Sequence, residues 1–135
     1  MSIKKNSMKN STRLIDMGTR LIAVAILGYS VFIKLTAAPA ALYIFHRLGM
    51  EPYGRYGVAA LEILAIVLLL IPRTAWRGAI LGCMMMFGAI CMHLTMAEVS
   101  ILGDGGLMFA SALVVMACCV SILVFHKEEL EAELN

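Results

Sequence analysis

Four apolar stretches limit what this chain can fold into: residues 14–33, 56–71, 75–97 and 106–125. A helix that crosses a bilayer needs about 20 mostly apolar residues, with a working range of about 17–25. The second stretch is the shortest, and Tyr53 and Arg55 can extend it at headgroup level. The chain is 61% hydrophobic and 15% charged, against roughly 45–50% and about 25% in soluble domains. That leaves too little polar surface for a globule in water. The 135 residues therefore form one membrane domain.

Turn residues punctuate the runs. Pro72 ends the second, and the "GDGG" of Gly103, Asp104, Gly105 and Gly106 marks a turn between the third and fourth. Glu98 and Asp104 mark that turn as a watery end. Between the first two runs, Pro39 suits a helix start. Leu42, Phe45 and Leu48 follow at spacing three, which predicts a short interfacial helix over residues 40–48. After Phe125, "HKEELEAELN" predicts a solvated, acidic helical tail.

Lysine and arginine placement sets the expected orientation. Lys4, Lys5, Lys9, Arg13, Arg73, Arg77 and Lys127 fall at one membrane side, and Lys34, Arg47 and Arg55 at the other. Cytoplasmic loops carry the basic excess. The expected fold class is all-α: an integral membrane antiparallel four-helix bundle with both termini cytoplasmic. Its parts are a basic segment over 1–13, a four-helix domain over 14–125 and an acidic tail over 126–135. The basic start, first apolar run and "APA" (Ala38, Pro39, Ala40) have the outline of a secretory leader. Lys34 interrupts the approach to that cut, so the first helix is expected to stay. No repeat period or low-complexity segment is visible.

Within this topology three ionisable residues converge. Glu62 lies in "GVAALEILAIVLLLIP", Lys34 ends the first run, and His93 lies near the outer end of the third. All three fall in the outer half of the membrane, with Glu98 and Tyr56 just above. A lone charge facing lipid costs about 2.5–3.5 kcal/mol on insertion scales. A carboxylate turned inward beside a lysine and a histidine avoids most of that. Lys34, Glu62, His93 and Tyr56 are therefore the candidate ligand-binding residues, and no catalytic residue is assigned.

Gly78, Gly82, Ala89 and His93 recur at spacings of four, seven and four, so they share one helix stripe. Gly78 and Gly82 form G-x-x-x-G, which allows close helix packing within the chain or against another. Arg20 can snorkel toward the inner headgroups or pair with Asp16 one turn back.

Other chemistries fit less well. Cys91, Met92, His93 and Met96 are soft or borderline ligands suited to Cu(I). Eleven methionines in an apolar chain serve mostly as gap-fillers, so no metal site is assigned. His46 and His93 are the histidines that haem would need, and His46 falls in the connecting segment. Cys83, Cys91, Cys118 and Cys119 form no C-x-x-C and read as small buried hydrophobes. No phosphate-binding loop, nucleophile elbow or H-E-x-x-H is present. The net charge of +2 and scattered basic residues argue against nucleic acid.

The same residues carry a family resemblance. "KL" (Lys34, Leu35), Pro39, "LG" (Leu48, Gly49) with Pro52, "LEI" (Leu61 to Ile63) and "HL" (His93, Leu94) occur in an order that resembles the DoxX-like family of small four-helix membrane proteins. The resemblance runs from about Arg20 to Phe125. It implies a multi-pass protein of the prokaryotic inner membrane, linked to thiosulfate–quinone oxidoreduction and membrane oxidoreductase assemblies. It matches Lys34, Glu62 and His93 to the family's polar pattern.

Two functions follow as expectations. The first is an accessory or binding subunit that holds a quinone-like or lipid ligand at the outer polar cluster, with quinone as the cofactor class. The second is an assembly or chaperone partner that docks a membrane protein, or a second copy of itself, through the third span without ligand chemistry. A transporter ranks last, since no inverted repeat is visible.

Overall fold

The computed structural model describes residues 2–96 and 98–135, with side chains from Lys9 onward. It is 83% helical with no strand among the described residues, which bears out the all-α expectation. The elements are α1 (Ser2–Leu35), α2 (Pro39–Arg47), α3 (Tyr53–Leu70), a 3-10 turn (Pro72–Thr74), α4 (Ala75–Thr95), α5 (Leu107–Phe125) and α6 (Lys127–Leu134). Four of these helices are long and apolar enough to cross a membrane. Ala97, the expected end of the third span, lies outside the described residues, as do the side chains of Lys4 and Lys5.

Helix boundaries follow local chemistry. Residues 2–13 hold no glycine or proline, so the basic segment is the opening of α1 itself and not a separate lead-in. At the other end of α1, Ala38 N–H donates to Ile33 O and Ala37 N–H to Lys34 O. That is a Schellman closure, with Ala37 at φ 55° in the left-handed position where glycine is usual. Pro39 follows and opens α2 with its fixed φ. Ile71 is extended at φ −95°, ψ 117°, as a residue before proline prefers, and α3 stops there. Gly103, Gly105 and Gly106 all take positive φ, so "GDGG" is the turn expected.

α1 packs on α3 and α5, and α4 packs on the same two helices. Their shared core holds Leu27, Ala65, Leu69, Ala79, Val115 and Ile122, all shielded completely. Small residues at the crossings let helices approach closely, the usual route to helix association in lipid. Large side chains such as Leu21, Phe32, Phe87 and Val124 point outward. That inversion suits a membrane.

The buried face of α2 differs from the expected one. Ala41, Ile44 and Phe45 are buried, while Leu42 is half-buried and Leu48 exposed beyond the helix end. A repeat of three drifts around a helix of 3.6 residues per turn, whereas i, i+3, i+4 stays on one side. Ile44 and Phe45 pack with Ile101 of the α4–α5 loop as a second small core.

Candidate ligand cavity at the Lys34 end

The main helices part at one end of the molecule around a cavity of about 1160 Å³. Ser30 and Lys34 line it from α1, Glu62 from α3 and His93 from α4. α2 contributes Ile44 and Phe45, and the α4–α5 loop contributes Ile101 and Asp104.

Lys34 and Glu62 meet as the sequence implied. Lys34 Nζ lies 3.0 Å from Glu62 Oε1, and the glutamate is 2% exposed. Ser30, one turn before Lys34, donates to the same Oε1 at 2.9 Å and accepts from Lys34 Nζ. Glu62 Oε2 is buried without a hydrogen-bond partner among the described residues. Buried polar atoms are nearly always paired, so an orphaned carboxylate oxygen in a cavity wall needs a reason.

His93 lines the same cavity but bonds to neither Lys34 nor Glu62. Its Nδ1 lies 2.9 Å from the Glu98 carbonyl oxygen, and its ring meets Phe109 edge-on at 5.5 Å. Facing a carbonyl, Nδ1 must be the donor. The Glu98 side chain in turn accepts from Tyr43 Oη at 2.7 Å and from Arg47 at 3.1 Å. One loop residue thus fixes the imidazole through its backbone and ties down α2 through its carboxylate.

Tyr56 is not part of this arrangement. It is half exposed, lies outside the cavity wall, and has the Arg55 guanidinium 4.5 Å from its ring centroid. Its position follows from helix phase: six residues from Glu62, it sits on a different face of α3. Arg55, read from sequence as a headgroup anchor, is instead buried. It pairs with Glu51 at 2.9 Å and donates to the Lys34 carbonyl at the end of α1. Glu51 at i−4 was its available signal.

The glycine stripe faces inward. Gly78 abuts Leu68 and Leu69 of α3, and Gly82 abuts Cys119 of α5. Ala89 is partly buried against the core and borders the cavity. A partner docking on Gly78 and Gly82 would need faces that α3 and α5 of the same chain already cover.

At the opposite end, Arg20 does not snorkel. It is buried, donating from Nε to Asp16 at 3.1 Å and from a terminal nitrogen to the Leu69 carbonyl at 2.8 Å. His126 Nε2 also reaches Asp16, at 3.1 Å. The Leu69 carbonyl is one of the last of α3 and lacks an intrahelical partner, which makes it a ready acceptor for a cation.

Asp104 does more than mark a watery end. Its Oδ1 accepts from Gly106 N–H at 2.8 Å and Ile101 N–H at 3.0 Å, and its Oδ2 from Met108 N–H at 3.0 Å. Partial burial alone would raise its pKa. The amides of Met108, Gly106, Ile101 and Leu107 outweigh that and hold the carboxyl below its usual 3.8. The stabilisation is therefore present above that value and lost as pH falls through the lower folded value. Asp104→Ala should cost about 0.5–2 kcal/mol, the usual loss for a helix cap. It should also flatten the acid limb of a thermal-unfolding series against pH. An unchanged acid limb would remove this role.

The arrangement of Lys34, Glu62 and His93 around a shared cavity is accompanied by a match over residues 19–124 to the profile described as the DoxX-like family. The chain belongs to the DoxX-like family. No curated protein and no solved structure matches it significantly. With four apolar spanning helices, this DoxX-like protein is a multi-pass membrane protein.

Proposed function

We propose that this DoxX-like protein is an accessory binding subunit of a prokaryotic inner membrane, holding one amphipathic ligand in the Lys34 end of its bundle. The ligand is quinone-like or a lipid, and the link is to membrane redox processes. In this reading the four spans form an antiparallel bundle with both termini cytoplasmic. The basic residues at the Arg20 end support that orientation, and α2 lies at the outer surface. The cavity then opens within the outer leaflet, where amphipathic molecules reside.

The observation that carries this is Glu62 Oε2: a buried carboxylate oxygen of a cavity-lining residue with no hydrogen-bond partner among the described residues. A ligand that hydrogen-bonds there supplies the missing partner. The cavity volume of about 1160 Å³ suits a headgroup ring or glycerol with part of its tail. Lys34 supplies positive charge, Glu62 accepts a hydrogen bond or proton, and His93 offers a fixed imidazole.

Gentle purification followed by mass spectrometry of extracted small molecules tests the reading. Wild-type protein should carry a ligand that Glu62→Gln loses or retains at a small fraction. Wild-type protein that carries no molecule depleted in the variant ends the proposal.

A further inference from the structure

The buried polar cluster in the cavity wall, Lys34, Glu62 and His93, has few hydrogen-bonding groups left unused. Glu62 Oε1 already takes two donors, and Oε2 remains as an acceptor. His93 commits Nδ1 to the Glu98 carbonyl, and its Nε2 makes no hydrogen bond among the described residues. A neutral imidazole that donates from Nδ1 accepts at Nε2. Lys34 spends two of its three N–H groups on Ser30 and Glu62, leaving one donor. This buried cluster therefore presents two acceptors and a single donor.

We infer that the cavity selects a hydroxyl-headed amphiphile, an alcohol or phenol on an apolar body, over the matching carbonyl or ether. This rests on the binding reading above and adds the hydrogen-bond sense of the ligand. A hydroxyl can donate to Glu62 Oε2 while its oxygen accepts the last N–H of Lys34. A second hydroxyl, on a ring or a glycerol, can donate to His93 Nε2. Within this cluster a quinone carbonyl or a methyl ether can engage only Lys34, and it leaves both acceptors without a donor. Leaving buried acceptors unpaired should weaken binding about ten-fold or more. Bulk does not confuse the comparison, because one methyl group is small beside about 1160 Å³.

Two sources share this chemistry, and two arms separate them. Full-length protein in detergent is titrated anaerobically and followed by native mass spectrometry. One arm compares an alkyl hydroquinone with its quinone. The other compares a monoacylglycerol with its O-methylated form. A gap of about ten-fold or more favouring the hydroxyl form is expected in one arm, which then names an aromatic quinol or a lipid glycerol as the source. Glu62→Gln should shrink the gap, because its amide can present a donor to a carbonyl. His93→Phe keeps an aromatic ring against Phe109, removes the other acceptor, and should also shrink it.

Binding with no gap in either of the two arms overturns the inference and leaves the binding reading standing. A gap that survives both substitutions at full size overturns the assignment to these acceptors. No binding in either arm removes the inference and the binding reading together.

Discussion

Lys34→Met should be among the most damaging single substitutions in this chain, lowering stability by about 3–5 kcal/mol, while Lys34→Met combined with Glu62→Leu should recover most of that loss. The magnitude is that of breaking a buried ion pair by removing one partner. Glu62 is 2% exposed, so solvent screens its charge poorly once the lysine is gone. Ser30 alone would remain to face its charge. Removing both charges leaves an apolar pair between α1 and α3, and such replacements are often neutral or stabilising.

The reverse single substitution should be milder. Glu62→Leu leaves Lys34 at the last turn of α1, where a cation is favoured by the helix dipole and can still donate to Ser30. Thermal unfolding of the four proteins in one detergent gives the full double-mutant cycle. A Lys34→Met protein that melts with wild type would mean that the pair is not formed. The doubly substituted protein also separates stability from binding: it should be folded yet retain no ligand. A stable double variant that still carries the wild-type molecule would show that the pair serves the fold alone.

The pair was legible in the sequence because charge is so costly in an apolar run that each ionisable residue there demands a partner. Only a few arrangements of four spans bring Lys34 and Glu62 to one depth. Ser30 was not legible. Hydroxyls in membrane helices usually bond back to their own helix, as Thr19, Ser111 and Ser121 do here with the carbonyls of Ile15, Leu107 and Ala117. Its position one turn before Lys34 was the available clue. Tyr56 shares the membrane depth expected for the cluster but not its face, because helix phase turns it away from the cavity. The Glu98 network with Tyr43, Arg47 and His93 was hidden for a different reason. It joins segments that only the folded chain brings together, and loops carry no periodicity from which to infer a partner. Helix identity, set by hydrophobic length and by proline and glycine, was far easier to read than the contacts of the connecting segments.

The glycine stripe gives the second large effect, and it distinguishes internal packing from docking. At Gly82 an added Cβ would lie 2.6 Å from Cys119 Sγ, with the next atom, Cys119 Cβ, at 3.9 Å. One sulfur therefore blocks it. Gly82→Ala should cost about 1–3 kcal/mol as overpacking, and Cys119→Ala in the same chain should return most of the loss by removing that atom. At Gly78 the obstruction includes backbone: Leu69 N at 2.9 Å, besides Leu68 Cβ at 2.9 Å and Leu69 Cγ at 3.0 Å. Truncating a side chain cannot relieve contact with a main-chain nitrogen. Gly78→Ala should force α3 from α4, strain the Leu69 carbonyl that Arg20 holds, and resist rescue by Leu68→Ala. Thermal unfolding of the isolated chain reads both results. A stripe that served a partner would give the opposite pattern, with both glycine variants as stable as wild type on their own and no benefit from Cys119→Ala.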